Sequence, residues 1–94
     1  MKAGYVYIMS NKNHRVLYTG VTSNLKKRIH EHKTGTGSQF TKKYNVKKLL
    51  WFDQYPRMMD AIHREKQIKR YKREWKFNLI KELNPGFRDL YDVI

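Results

Sequence analysis

Two tyrosines, an arginine, a histidine and a glutamate have the types and the order to do chemistry together: Tyr7, Tyr18, Arg28, His32 and Glu65. The chemistry that such a set suits is phosphodiester hydrolysis. That reaction needs a metal ion to hold the phosphate and neutralise charge. Mg2+ keeps most of its waters and often takes only one or two protein carboxylates, so a lone glutamate is chemically sufficient for Mg2+ or Mn2+. An arginine stabilises the extra negative charge of the transition state by oriented donation. A tyrosine activates the attacking water if nearby cations depress its pKa from the ordinary value of about 10. Arg28, the metal and the basic surroundings are expected to do that.

Each residue also has an ordinary reading. Glu65 lies in the apolar stripe Met58, Ala61, Ile62, Ile68. A carboxylate there must be paired, metal-bound or at the edge of a pocket, and a salt bridge to a neighbouring Lys or Arg would suffice. Arg28 and His32 stand at i and i+4, so they share a helical face and read equally as a solvated cationic surface among Lys26, Lys27 and Lys33. Tyr7 and Tyr18 read as strand packing. His14, His30 and His63 have no shared ligand spacing, and no zinc site is expected. The run Lys66 to Arg73, KQIKRYKR, is either a charged helix junction or a set of phosphate contacts with stacking aromatics at Tyr71 and Trp75. In the second reading Lys66, Lys69, Arg70, Lys72 and Arg73, with Lys42, bind nucleic acid.

The elements that must position these groups follow from pattern. After a lead-in at residues 1–4, Tyr5 to Met9 and Val16 to Val21 alternate as strands. In the first, Tyr5 and Tyr7 face one side, Val6 and Ile8 the other. A hairpin would make Tyr7 and Tyr18 cross-strand neighbours. Gly20 suits a bend or a close backbone approach. Thr22, Ser23 and Asn24 can each cap a helix that buries Leu25 and Ile29 and stops at Gly35. A short helix falls within residues 36–45, and Leu49 to Tyr55 reads as a buried third strand. Arg57 to Arg70 is helical by period. A last helix, Glu74 to Leu83, turns Trp75, Leu79, Ile80 and Leu83 inward and ends at Asn84-Pro85-Gly86. The tail packs back through Phe87, Leu90 and Tyr91.

Composition narrows the partner. With 94 residues, one domain spanning 1–94 is expected. Lys plus Arg number 21 against 8 Asp plus Glu, a net charge of +13. So basic a surface attracts polyanions, and nucleic acid comes first. No strongly hydrophobic face opposes a basic one, so a membrane is not the expected partner. The absence of cysteine excludes a disulfide scaffold and thiolate metal sites. With no signal peptide and no long apolar run, a cytoplasmic protein is expected.

The pattern resembles the GIY-YIG nuclease superfamily. Tyr5-Val6-Tyr7 stands where that family has Gly-Ile-Tyr, and Tyr18-Thr19-Gly20 where it has Tyr-Ile-Gly. Arg28, His32 and Glu65 match the family's Arg, His and metal-binding Glu. The resemblance covers nearly the whole chain and is nearest to small stand-alone bacterial members, similar to the nuclease module of the excision-repair endonuclease. Those members share Phe40-Thr41-Lys42-Lys43-Tyr44, Trp75-Lys76 and Asn84-Pro85. It implies an α+β fold, a three-stranded antiparallel sheet flanked by helices. It implies a Mg2+- or Mn2+-dependent DNA endonuclease of repair or processing. Glu65 would hold the metal, Tyr18 would activate water with Tyr7 as alternative or orienting partner, and His32 would orient or relay a proton. Gly20 would be accessory, and Asn78 and Asn84 compete for the family's late Asn position. The first motif lacks its Gly and the second its Ile, both scaffold changes. Larger members carry a separate nucleic-acid-binding domain, so binding here is expected from the basic surface or a protein partner that supplies specificity. Single-stranded or branched DNA is a candidate substrate, with RNA beside it. The rival is a non-catalytic basic adaptor that keeps the fold.

Overall fold

The alternating segments do become strands. In the computed structural model, which describes residues 2–94, β1 (Gly4–Ser10), β2 (Leu17–Thr22) and β3 (Lys48–Tyr55) form one antiparallel sheet in the order β2-β1-β3. Four helices, α1 (Leu25–Thr34), α2 (Gln39–Lys43), α3 (Met58–Lys69) and α4 (Arg73–Leu83), and a closing 3-10 turn (Leu90–Val93) complete it. This is the expected α+β architecture. Of the expected lead-in, Met1 lies outside the described residues, and Gly4 already pairs with Tyr55.

The central strand β1 is covered on both faces, which explains why its whole run is apolar rather than half polar. Val6 and Ile8 pack with Leu50, Trp51, Ala61, Ile68 and Ile80, beneath α3 and α4. Tyr7 and Met9 pack with Leu25, Ile29, Val46 and Leu49, beneath α1. The β1–β3 register shifts between Ile8 and Met9. That bulge lets the successive residues Leu50 and Trp51 face one side, as strict alternation would forbid. Each fully buried aliphatic side chain here contributes about 1.5–3 kcal/mol.

Local chemistry sets the helix ends. The Asn24 side chain accepts from the Lys27 N–H at 3.2 Å and starts α1. Gly35, at φ 83°, closes it in the left-handed conformation that suits glycine. The Ser38 hydroxyl accepts from the Thr41 N–H at 3.1 Å and starts α2.

Tyr7 pairs with Gly20, and Tyr18 with Met9. The two tyrosines are cross-strand neighbours as expected, on the diagonal, with ring centroids 6.3 Å apart. One expectation is corrected. On α4, Ile80 is buried, but Trp75 and Leu83 are each about half exposed. The helix packs through Phe77, Ile80 and Asn84, and Leu79 packs against the same core as expected, whereas Trp75 and Leu83, one turn either side of Leu79, stand partly in solvent.

The tail packs back as expected, with Phe87 against one core and Leu90 and Tyr91 against the other. Asn84 organises it: its Nδ2 donates to the carbonyls of Leu50 (3.1 Å) and Arg88 (2.7 Å), and its Oδ1 accepts from the Arg88 N–H (3.1 Å).

One buried polar atom, Thr19 Oγ1, has no hydrogen-bond partner among the described residues. An unsatisfied buried hydroxyl costs about 1–3 kcal/mol. Thr19→Val keeps the shape and removes the hydroxyl, so it should stabilise the fold by about 1 kcal/mol. Thermal unfolding should then shift upward by about 4–8 °C; an unchanged or lower midpoint would contradict the burial argument.

Candidate active site

The site is built around a tyrosine that fits only because a glycine faces it. A Cβ on Gly20 would lie 2.4 Å from both Cζ and Oη of Tyr7. The second motif thus needs its glycine for the close approach of a side chain, and no turn is involved. On its other side, the Tyr7 hydroxyl meets His32 Nε2 at 2.9 Å. Tyr7 is 1% exposed and His32 0%. The spacing that put Arg28 and His32 on one face of α1 holds, but the face is not uniformly cationic and solvated. Burial first, then the charge of Arg28, lowers the His32 pKa to about 4 against the pull of Glu31. His32 is therefore neutral at physiological pH.

Both ring nitrogens are engaged. Nε2 meets the Tyr7 hydroxyl, and Nδ1 meets Thr41 Oγ1 at 3.0 Å. Thr41 Oγ1 in turn lies 2.9 Å from the Ser38 hydroxyl and 3.2 Å from the Ser38 carbonyl. A neutral imidazole has one donor and one acceptor nitrogen, so both are satisfied in this setting. Gly37 makes room for this arrangement, since a Cβ there would lie 2.2 Å from His32 Nδ1.

Three further groups converge on the Tyr7 hydroxyl. Burial raises the Tyr7 pKa, and the neighbouring Tyr18 and Glu65 raise it further, while the Arg28 guanidinium opposes them. Arg28 therefore does not depress Tyr7 as was expected of the cations together: among the chain's own groups desolvation wins, and Tyr7 stays protonated. Desolvation also works against the Arg28 charge, but the Tyr7 hydroxyl, Glu31 and Tyr18 outweigh it and hold Arg28 above its ordinary value. The Arg28 Nη1 to Glu31 Oε1 distance is 3.1 Å, with each side chain about a third exposed. Such a pair is worth only about 0–1 kcal/mol, so its effect is to orient the guanidinium. The Tyr18 ring stands edge-on to His32, centroids 5.3 Å apart, and remains partly exposed.

Glu65 is paired. Lys69 Nζ lies 3.0 Å from its Oε2, which realises the ordinary reading of a carboxylate on this face. The Glu65 side chain is 13% exposed and that of Lys69 54%. A pair so open at one end is weak and displaceable. Among the described residues, no three His, Cys, Asp or Glu side chains gather into a metal cluster.

The sequence matches the GIY-YIG catalytic domain family over residues 3–78. The chain belongs to the GIY-YIG family. It is 41% identical over 76 residues to a UPF0213 protein of Clostridium perfringens, covering 81% of each chain. To a UPF0213 protein of Syntrophus aciditrophicus it is 38% identical over 86 residues, covering 90% of this chain and 97% of the other. Its fold matches the solution structure of UPF0213 protein BH0048 from Bacillus halodurans with a TM-score of 0.59, at 26% identity over 93% of this chain and 92% of that one. Membership of this nuclease family supports an endonuclease-type function on nucleic acid.

Against the GIY-YIG pattern, Tyr7, Tyr18, Arg28, His32 and Glu65 come together, and Gly20 adjoins them. Asn84 is spent on the tail, and Asn78 is an exposed residue of α4. The basic run does not form one face. Lys69 turns to Glu65. Lys66 and Arg70, with His63, Gln67, Tyr71 and Trp75, line an open cavity of about 500 Å³. Lys72 stands 5.5 Å above the Trp75 ring. Arg73 donates to the His14 carbonyl at 2.8 Å and to that of Arg15, tying α4 to the β1–β2 loop. Lys42 is exposed on α2. Thr41, Ser38 and Gly37, which hold His32, were not singled out from the sequence. The only signal was the stretch Phe40 to Tyr44 shared with small family members. Among the described residues, no helix is long and apolar enough to cross a membrane.

Two outcomes follow from this geometry. Gly20→Ala should destabilise the protein by about 1–3 kcal/mol in chemical denaturation, as overpacking against a held ring does; wild-type stability would mean that Tyr7 is free to move. His32 should make stability pH-dependent. Its folded pKa, about 4, lies below the unfolded value of 6.5, so the unfolded chain binds the extra proton. Its contribution is fully present above pH 6.5 and is lost as pH falls toward 4, with a slope of up to about 1.4 kcal/mol per pH unit. Denaturation between pH 4 and 7 should show this slope, flattened in His32→Gln.

Proposed function

We propose that this chain is a divalent-cation-dependent DNA endonuclease of repair or processing. The observation that carries the reading is the gathering of an arginine, a second tyrosine and a carboxylate around the buried Tyr7, itself bonded to a neutral histidine, in a protein of net charge +13. The donor set at Glu65 fits Mg2+ or Mn2+. It offers one hard carboxylate, largely shielded and paired with an exposed, displaceable lysine, and such ions complete their coordination with water and phosphate oxygens. A cation bound there would neutralise phosphate charge and steady the leaving oxygen.

The chain's own residues divide the remaining work. Arg28 is oriented by Glu31 and by the Tyr7 hydroxyl, and donates to a non-bridging phosphate oxygen whose charge grows in the transition state. Tyr18 is the hydroxyl that substrate can reach, so it orients the attacking water. Tyr7 is buried and protonated. It acts through others, hydrogen-bonded to His32 while its oxygen faces Arg28. His32, held by Thr41, fixes Tyr7. Lys69 leaves Glu65 and becomes available to the phosphate backbone. DNA binding comes from the basic surface and is weakened by salt through counterion release.

The test is cleavage of labelled single-stranded, duplex and branched DNA with Mg2+, Mn2+ or chelator. Wild-type protein should cut only with metal, and Glu65→Gln should lose cutting but keep salt-sensitive binding. Arg28→Lys should cost about 10²–10³ in rate, as loss of an oriented donor does. Salt-sensitive binding without metal-dependent cutting by the wild type would support the adaptor reading instead.

A further inference from the structure

A line of aromatic rings leads out of the site to the surface. The Tyr18 ring lies 5.8 Å from Phe40, centroid to centroid and tilted by 30°. Phe40 lies 4.9 Å from Tyr44. The two stand at i and i+4 on α2, 42% and 41% exposed. Neither belongs to either hydrophobic core, so core packing does not explain them. The orientation of α2 is set by Thr41, fully buried against His32, and the same turn that sends Thr41 inward presents Phe40 and Tyr44 to solvent. The device that holds the buried histidine thus also displays two aromatic side chains beside the site.

The segment that carries these rings has charge of one sign. No acidic residue lies between Glu31 and Asp53 in sequence, whereas Lys33, Lys42, Lys43, Lys47 and Lys48 do, of which Lys33 is paired with Asp89. Lys43 Nζ stands 5.3 Å from the Tyr44 ring centroid. Aromatic faces bordered by cations fit a polymer of flat bases on a phosphate backbone. Stacking on such rings requires a base whose face is free. In a duplex those faces are taken by neighbouring base pairs.

We propose that Phe40 and Tyr44 form a stacking platform for unpaired DNA bases, next to the phosphate that Arg28 and Tyr18 receive. The preferred substrate is then single-stranded DNA, or a splayed strand whose bases next to the cleaved bond are unpaired. The position of that bond rests on the nuclease reading above, whereas the stacking itself does not.

Binding and cleavage are measured separately. With the wild-type chain in chelator, anisotropy of a labelled single strand should report affinity at least about tenfold tighter than for a blunt duplex of the same sequence at the same salt. Phe40→Leu and Tyr44→Leu keep apolar bulk and lose the ring. Each should weaken single-strand binding by about 5- to 100-fold, the range expected for loss of one stacked base, and leave duplex binding nearly unchanged. In the wild type, 2-aminopurine in the single strand should be quenched on binding, and the variants should relieve it. Thermal midpoints near wild type would show that the variants fold. Variants that bind the single strand as wild type does, or that lose single strand and duplex alike, would overturn the platform. Adding Mg2+ or Mn2+ separates the two readings. Cutting with no effect of the leucine variants sinks the platform alone, and ring-dependent single-strand binding with no cutting sinks the nuclease alone.

Discussion

The Tyr7 hydroxyl is bonded to a histidine that cannot easily take a charge, and the rest of the site is arranged around that contact. Burial keeps the phenol protonated and the imidazole neutral. The contact continues on both sides. His32 Nδ1 meets Thr41 Oγ1, which meets the Ser38 hydroxyl and carbonyl. At the opposite end, the Tyr7 oxygen faces the Arg28 guanidinium. A chain of neutral, hydrogen-bonded groups thus ends in a cation without spending a buried negative charge to hold it. Neutral buried groups with satisfied hydrogen bonds are a cheap support for such a cation.

Two glycines make this geometry possible, for a reason that concerns space and not backbone freedom. Gly20 yields to the Tyr7 ring and Gly37 to the imidazole. Gly20 and Tyr7 lie on different strands, so that glycine ties a local motif to a tertiary contact, whereas Gly37 lies just past the helix that carries His32. The missing Ile of the second motif is a different matter. Thr19 occupies that position with its hydroxyl buried and unsatisfied, a cost to stability that the reacting groups do not share.

The parts of this arrangement legible in the sequence were those written in periodicity and caps. The three strands, the end of the first helix at Gly35, the short helix near Phe40 and the returning tail all followed from such signals. Register did not. Which residue of β2 faces Tyr7 depends on the β1–β2 loop, where His14 adopts φ 62°, and alternation is indifferent to a shift by two residues. The inward face of α4 was read too wide: Ile80 and Leu79 do pack on the core, but Trp75 and Leu83 are equally apolar, and the pattern cannot say which apolar residues of a helix meet a neighbour and which meet water. The state of His32 was hidden for a related reason. A histidine among lysines on a helix reads as surface, and only the third element, α2, arriving with Thr41, seals it.

The division between buried and reachable groups also bears on how such a small chain can evolve new substrates. Tyr7, His32, Thr41 and Gly20 are enclosed and mutually fitted, so a change in any one disturbs the others. Tyr18, Arg28 and Glu65 are only partly enclosed, and on the proposed reading the Glu65–Lys69 pair would exchange one cation for another. Beyond them the basic and aromatic side chains of α2, and those at the junction of α3 and α4, stand on surfaces that carry little of the core. On the same reading, substitution there would alter what is bound at small cost to folding. The scaffold of the site is thus held by the inside of α1 and β1, and the outside of α2 and α3 can vary without disturbing it.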